Sequence, residues 1–334
     1  MVKESKLVAS LEPFKGYVEA CVLYGLMKTQ LMEPLVKGAS LPDLVSSCEM
    51  DAARMEGVRL FLVTADYLDP ITGRATQKLK DVYEARGWYE MMIGGYGETF
   101  LNLSSGFAGG SEPIARNGEW VGRGSCEMSK HDSLPVIQQM IRDSGRTYRN
   151  MIDMGCGSGI YLTEICKQFP AMRAVGIDPS EGATEAARQH VLGDPAADRI
   201  TIACSDAVDW MKKNAGQYDL GIICFVIHEI LGQRGDEAVD DFLREYFRNS
   251  PDADMMIIDI NHTWADRDAM HHPLARNYYN QYFLLHPFTS QRLEPEAYWD
   301  RKFTKLGLHI VNKATSDPAV DSTGIVMGWH LRQG

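Results

Sequence analysis

The 334-residue sequence has little of what membrane-spanning, nucleic-acid-binding and disulfide-rich proteins need. It has no run of about 18 apolar residues, so no transmembrane helix and no membrane partner are expected. Lys and Arg number 34 against 45 Asp and Glu, and the net charge of −11 argues against nucleic acid as a partner. The seven cysteines form no C-x-x-C pair, so we expect neither a disulfide framework nor a cysteine zinc site. Reduced thiols and the lack of a signal-peptide core favour a cytoplasmic location.

The first half of the chain, residues 1–145, has the periodicity of a helical domain. Apolar residues recur at three- and four-residue spacing over 11–35 and 41–62, and residues 69–74 have the composition of a turn. This region resembles a small winged-helix module. Residues 104–126 are rich in glycine and serine, which predicts a loop that covers a site.

The second half, residues 146–334, alternates short apolar segments with amphipathic ones. This order predicts an α/β fold, a Rossmann-like doubly wound parallel sheet closed by an antiparallel pair. Ligands of such sheets bind beyond the carboxyl ends of the strands, so residues at strand ends carry the most functional weight. The predicted strands are 150–154, 174–178, 200–204, 220–225 and 255–260, with a final hairpin at 309–311 and 324–331. The predicted helices are 160–169, 182–190, 207–213 and 236–247.

A glycine-rich segment ends the first predicted strand. Residues 151–159 read Met-Ile-Asp-Met-Gly-Cys-Gly-Ser-Gly, so Gly155, Gly157 and Gly159 let the backbone pass close to a ligand just after Asp153. Dinucleotide-binding loops have G-x-G-x-x-G spacing and hold a pyrophosphate, which a nearby carboxylate would repel. The spacing here resembles motif I of the class I S-adenosylmethionine-dependent methyltransferases. A carboxylate at that position can pair with the ammonium group of the cofactor.

Further acidic residues end the second and third predicted strands. Asp178 can accept hydrogen bonds from both ribose hydroxyls, and Asp206 is placed to accept one from an adenine amino group. Each can instead be the N-cap of the following helix. Three acids at successive strand ends, behind this glycine loop, favour S-adenosylmethionine over NAD. We also expect Ser205, Ala207 and Phe225 to contact the cofactor.

Two histidines lie beyond the cofactor segments. His228 and Glu229 follow the fourth predicted strand, and His286 follows an aromatic segment much later in the chain. Three interpretations remain open from the residues alone. They are a metal site with two imidazoles and one carboxylate, His228 as a general base without metal, and a structural histidine pair.

The whole chain resembles the α-keto acid C-methyltransferases, which methylate phenylpyruvate, 2-ketoarginine or branched keto acids at the β-carbon. The segments that resemble the 2-ketoarginine branch in particular are Arg-Gly-Trp-Tyr-Glu-Met-Met-Ile-Gly-Gly-Tyr at 86–96 and Gly-Ser-Cys-Glu-Met-Ser at 124–129. In the phenylpyruvate enzyme, a His-Asp pair after the fourth strand and a histidine thirteen residues before a tryptophan hold the metal. Here His228 and Glu229 match the pair, with Glu in place of Asp, and His286 stands thirteen residues before Trp299.

The resemblance implies an enzyme that uses S-adenosylmethionine and a divalent or ferric ion, iron or zinc, held by His228, Glu229 and His286. Such an ion would stabilise the enolate that C-methylation of a keto acid requires. The expected substrate is a 2-ketoarginine-like keto acid, and the alternative is an O- or N-methyltransferase with His228 as the base and no metal. The N-terminal domain would cover the site and form a homodimer. The residues expected to contact substrate are Tyr96, His262, Tyr279 and Tyr282.

Overall fold

The computed structural model describes residues 2–48 and 50–334, which form a helical N-terminal region and an α/β region built on one sheet. Within these residues, no helix combines the length and the apolar character that crossing a membrane requires. The predicted class, a Rossmann-like sheet with a helical N-terminal domain, is confirmed.

The N-terminal region is mainly helical, and its resemblance to a winged-helix module stays a prediction. Its turn at 69–74 is closed by antiparallel bridges between Ser40 and Arg74 and between Leu68 and Ala75. The helices are α1 (Glu4–Lys28), α2 (Met32–Val36), α3 (Leu41–Ser47), α4 (Ala52–Thr64), α5 (Gln77–Glu84), α6 (Arg86–Tyr89), α7 (Gly97–Leu101), α8 (Gly118–Ser129) and α9 (Leu134–Asp143). A π-helical segment (Glu90–Gly95) joins α6 to α7, and a 3-10 turn (Leu103–Gly106) follows α7.

The predicted loop over 104–126 is wrong in its second half, because α8 begins at Gly118. Asn117 caps this helix by accepting a hydrogen bond from the backbone N–H of Trp120. A Cβ on Gly124 would lie 2.5 Å from the backbone nitrogen of Met91. The glycines therefore serve close packing of α8 on the neighbouring π-helical segment, a use that composition alone does not distinguish from a flexible loop.

The sheet has seven strands in the order β3-β2-β1-β4-β5-β7-β6, with the last two antiparallel to each other and β7 antiparallel to β5. The five parallel strands begin and end within one residue of their predicted positions. The strands are β1 (Asn150–Met154), β2 (Arg173–Asp178), β3 (Ile200–Cys204), β4 (Leu220–Cys224), β5 (Asp254–Ile260), β6 (Leu308–Thr315) and β7 (Val326–Gln333).

Helices cover both faces of this sheet. They are α10 (Ile160–Gln168), α11 (Glu181–Val191), α12 (Ala207–Lys213), α13 (Ile227–Arg234), α14 (Asp236–Asn249), α15 (Arg267–Met270), α16 (Asn280–Leu285) and α17 (Glu296–Lys305). A second π-helical segment (Ala275–Tyr279) precedes α16, and 3-10 turns occupy Ala197–Arg199 and His286–Phe288.

The predicted domain boundary after residue 145 stays a prediction. Helix α9 lies on its N-terminal side, yet Val136, Ile137 and Met140 are buried in one core with Met151 of β1 and Ile258 of β5. The apolar face of α9 thus covers the sheet, while helices α1 to α5 contribute to a separate cluster that includes Leu35 and Leu62.

Candidate active site

The loop between β1 and α10 turns at three glycines. Gly155, Gly157 and Gly159 have φ values of 86°, 52° and 80°, in the region that favours glycine. A Cβ on Gly155 would also lie 2.7 Å from a methyl group of Val226. The backbone N–H of Gly157 donates to Asp178 Oδ2 at 3.2 Å, which ties the loop to the end of β2. Bare backbone is therefore held at the carboxyl edge of the sheet.

Asp153 lies under this loop at the end of β1, and its side chain is buried. Among the described residues, its Oδ2 has no hydrogen-bond partner. Burial, with the charge of Asp178 added, raises the pKa of Asp153 to about 8. Because an unpartnered buried carboxyl group is costly, a ligand ammonium group would be a favourable partner. This fits the amino-acid end of S-adenosylmethionine.

The two later strand-end acids are used by the protein itself. Asp178 Oδ1 accepts from the backbone N–H of Ser180, and Asp206 Oδ1 accepts from Val208 and Asp209, which makes Asp206 the N-cap of α12. Capping does not consume every lone pair of a carboxylate, so contacts to ribose and adenine stay predictions. The same holds for Ser205, Ala207 and Phe225. Phe225 has a φ of 57°, which is uncommon for a residue other than glycine.

A cavity opens at the carboxyl end of β4, between α8, the two π-helical segments and the strand ends. The predicted substrate residues Tyr96, Tyr279 and Tyr282 line this cavity together with His228 and Glu229. The fourth, His262, is not among the lining residues. Its ring packs edge-on against Phe283 with 5.0 Å between ring centroids, and its predicted contact with substrate therefore has no support from the cavity.

His228 lies in the first turn of α13 and is 1% exposed. Its Nδ1 lies 2.8 Å from Asp259 Oδ1, and its backbone N–H donates to the other oxygen of the same carboxylate. Burial alone would lower the pKa of His228, but the charge and hydrogen bond of Asp259 raise it above its ordinary value. With Asp259 as the acceptor at Nδ1, Nε2 is left as the proton acceptor on the ring. This is how a histidine base is commonly oriented.

His286 is held in a similar way by a different acceptor. Its Nδ1 lies 2.7 Å from the carbonyl oxygen of Tyr282, and its Nε2 is buried without a partner in the part of the chain that the structure describes. Burial and the neighbouring His228 lower the pKa of His286 well below its ordinary value. The two ring centroids are 5.6 Å apart. His286 thus presents an unpartnered Nε2, whereas the Nε2 of His228 lies 3.4 Å from the side-chain nitrogen of Gln291.

Glu229 does not join the two histidines in the predicted metal-binding triad. Its Oε1 accepts hydrogen bonds from Arg116 at 2.7 Å and from Gln291 Nε2 at 2.9 Å. Arg116 also donates to the hydroxyl of Tyr96 at 3.2 Å. Across residues 2–48 and 50–334, no three His, Cys, Asp or Glu side chains are grouped to hold a metal. The partly buried carboxylate of Glu229 is instead paired with the guanidinium of Arg116, which sequence spacing did not indicate.

Sequence reasoning missed three residues of this site, Arg116, Asp259 and Gln291. Asp259 had a signal, because it is a charged residue in β5, where all other residues after Asp254 are apolar. Arg116 and Gln291 lie in irregular segments whose sequences carry no such mark.

Comparison with known proteins identifies the family. A family profile described as a methyltransferase domain matches residues 151–250, from β1 to the end of α14. A 2-ketoarginine methyltransferase from Streptomyces arginensis is 32% identical over 338 aligned positions, which cover 98% of this chain and 96% of that protein. The chain belongs to the class I S-adenosylmethionine-dependent methyltransferases. S-adenosylmethionine is therefore the cofactor of this enzyme, as the glycine loop predicts.

Solved structures of other methyltransferases have the same fold over the full length of this chain. An O-methyltransferase family protein from Burkholderia thailandensis is 13% identical, with a TM-score of 0.66 and coverage of 100% of this chain and 99% of that one. Human N-acetylserotonin methyltransferase, solved with its S-adenosylmethionine cofactor, is 15% identical with the same TM-score and coverage. At such identities the likeness concerns the fold, including the helical N-terminal region.

Proposed function

We propose that this methyltransferase transfers the methyl group of S-adenosylmethionine to the β-carbon of an α-keto acid with a 2-ketoarginine-like side chain. The observation that carries the proposal is the buried pair of His228 and Asp259, whose imidazole lines the same cavity as the guanidinium of Arg116. The identity to a 2-ketoarginine methyltransferase over nearly the whole chain supports the same substrate class.

The guanidinium of Arg116, which lines the cavity, supports a substrate with a carboxylate group. Arg116 is about three-quarters buried and lies where its guanidinium bonds Glu229 and Tyr96. A guanidinium binds a carboxylate through two parallel hydrogen bonds, which fixes the orientation of the bound acid. In our proposal Arg116 takes the substrate carboxylate, and Glu229 with Gln291 keeps the guanidinium in place.

His228 supplies the proton acceptor. A β-carbon next to a keto group becomes nucleophilic only after it loses a proton, and Nε2 of His228 takes that proton as the C–H bond breaks. Asp259 stabilises the imidazolium that results, because its carboxylate already holds Nδ1–H. The cofactor supplies an electrophilic methyl group, and the rigid strand ends hold the reacting partners in line.

Metal assistance stays a prediction. The two histidine Nε2 atoms suit metal ligation, since each ring has its Nδ1 fixed by an acceptor. The third ligand would require Glu229 to leave Arg116. An ion there would place positive charge beside the keto oxygen. Elemental analysis of the purified enzyme tests this, since less than about half an ion per chain, with activity surviving a strong chelator, would contradict metal assistance.

We further propose that a second copy of the chain covers α1. Leu7, Val8, Leu11, Phe14 and Tyr17 lie on this helix and are exposed by between 46% and 66%. So many exposed apolar side chains on one helix are typical of a protein–protein contact. The predicted homodimer would bury them.

The test of the proposed function is methyl transfer from radiolabelled cofactor to a panel of acceptors. We expect label to enter α-keto acids, 2-ketoarginine above all, and to be absent from matched 2-hydroxy and 2-amino acids. Labelling of phenols or amines with no labelling of any keto acid would favour an O- or N-methyltransferase, with His228 removing a hydroxyl or amine proton.

A further inference from the structure

A buried carboxylate lines the cavity and takes no part in the chemistry proposed above. Asp132 lies in the turn between α8 and α9, and it is 5% exposed. Its Oδ1 accepts a hydrogen bond from the hydroxyl of Ser133 at 2.8 Å. Backbone N–H groups of Ser133 and of Asp132 itself also bond this carboxyl group, but in the described residues no Lys, Arg or His forms an ion pair with it. A buried charge without a counter-charge is costly, so this carboxylate needs an explanation.

A second acidic side chain makes this end of the cavity still more negative. Asp321, in the connection between β6 and β7, is 4% exposed and accepts hydrogen bonds from Tyr279 at 2.5 Å and from Thr323. Burial raises the pKa of Asp132 to about 7, and the charge of Asp321 adds to the rise. The groups that donate to Asp321 are two hydroxyls and the backbone N–H of Thr323, all of them neutral. A cation is therefore the partner that would stabilise Asp132 in its ionised form.

Aromatic rings complete the surroundings of Asp132. Tyr278 and Tyr279 line the cavity with their ring centroids 4.8 Å apart. Burial raises the pKa of both rings, and the negative charge of Asp132 adds to the rise. Tyrosine rings beside a carboxylate suit a planar guanidinium, which stacks on aromatic faces and bonds carboxylates.

We propose that Asp132 receives the guanidinium group at the far end of the substrate side chain and so determines the preference for a cationic keto acid. This assignment rests on the proposed function, in which Arg116 and His228 take the keto acid end. Asp132 is thus a specificity residue, which distinguishes a charged side-chain end from an uncharged one.

Steady-state kinetics of Asp132→Asn test the assignment with two substrates, 2-ketoarginine and its ureido analogue, in which oxygen replaces one guanidinium nitrogen. We expect kcat/KM for 2-ketoarginine to fall about tenfold to a hundredfold, because a charge-assisted hydrogen bond is lost. For the uncharged analogue we expect a change of less than about threefold, so the substitution should erase the preference for charge. Asp132→Glu keeps the charge and should retain the preference.

Two controls keep the outcomes distinct. Asp198→Asn removes the same charge from a side chain that is 83% exposed, and it should leave both rates unchanged. An equal fall for both substrates in Asp132→Asn, or no fall for either, would overturn the assignment. If neither keto acid is methylated, calorimetric binding of 2-ketoarginine decides separately. Binding that Asp132→Asn weakens then upholds Asp132 and refutes methylation, whereas no binding refutes Asp132.

Discussion

At the residue scale, His228 and His286 differ in the acceptor at Nδ1, and this predicts which one acts on protons. His228→Ala removes the ring that Asp259 polarises, so we expect kcat to fall by about a hundredfold to ten-thousandfold. His286 has no part in the proposed proton transfer, so His286→Ala should lower kcat as far only if both rings hold a metal ion. Cofactor affinity should stay within about threefold in both variants, because the two rings bond Asp259 and the Tyr282 carbonyl and not the glycine loop.

For these two variants, kcat is measured by steady-state kinetics and cofactor affinity by calorimetry. The exposed His309 on β6 provides the matched control, since His309→Ala makes the same change far from the cavity. A His228→Ala enzyme that turns over like the wild type would remove the base from our proposal.

The lowered pKa of Asp254 predicts how the free energy of unfolding depends on pH. Burial alone would raise its pKa, but hydrogen bonds from Arg332, His330 and Tyr148 hold it below its ordinary value. A carboxyl group with a lowered folded-state pKa stabilises the protein above its unfolded-state pKa and loses that contribution as the pH falls. We expect Asp254→Asn to cost about 3 kcal/mol of unfolding free energy at pH 7, because its cationic partners lose their counter-charge.

Urea unfolding at several pH values measures this effect. The difference from the wild type should shrink as the pH falls below about 4, where the unfolded chain takes up protons. Asp241→Asn, on a side chain that is 79% exposed, serves as the control. A difference that stays constant with pH would contradict a role for the ionised carboxylate.

At the element scale, the glycine loop predicts a sharp contrast between two glycines with similar backbone. Gly155 and Gly193 have φ values of 86° and 83°, so alanine is strained at both. Only at Gly155 would the added Cβ meet Val226, while around Gly193 there is open space. Gly155→Ala should therefore weaken cofactor binding by about tenfold or more, and Gly193→Ala should affect only stability. Equal cofactor affinities in the two variants would mean that the loop does not hold the cofactor.

The parallel strands could be predicted from sequence because strands buried on both faces are short apolar runs between polar helices. Strand-end residues then followed from topology, and Asp153, Asp178 and Asp206 do lie at the ends of neighbouring strands. Helix α8 was missed because glycine serves close packing as well as turns. Gly87 shows the same use, since a Cβ there would lie 2.8 Å from the carbonyl oxygen of Gly124.

The cavity itself could not be predicted from sequence. Two π-helical segments border the cavity, and each contains a widened turn. No local sequence pattern predicts such a turn. The ion pair of Arg116 with Glu229 joins residues 113 positions apart, so neither periodicity nor spacing connects them. Only the folded chain shows that Arg116 binds the carboxylate of Glu229, which the resemblance assigned to a metal.

At the scale of the whole molecule, the exposed apolar side chains of α1 predict a dimer. Phe14→Glu places a charge among them and should convert the dimer to a monomer, because a buried uncompensated charge is unfavourable in a contact. Ile71→Glu makes the same kind of change at a side chain that is 92% exposed in the turn at 69–74, and it should leave the dimer intact. Sedimentation velocity gives the masses, and a wild-type enzyme of one chain's mass would refute the dimer.

The site of methylation is the central claim about the whole enzyme. Incubation of the enzyme with 2-ketoarginine and cofactor carrying a carbon-13 methyl group, followed by NMR of the product, reads that site directly. We predict that the labelled methyl is bonded to the β-carbon, seen as coupling to a carbon that bears a single remaining hydrogen. A labelled methyl on oxygen or nitrogen, with the β-carbon still bearing both hydrogens, would contradict the proposed function.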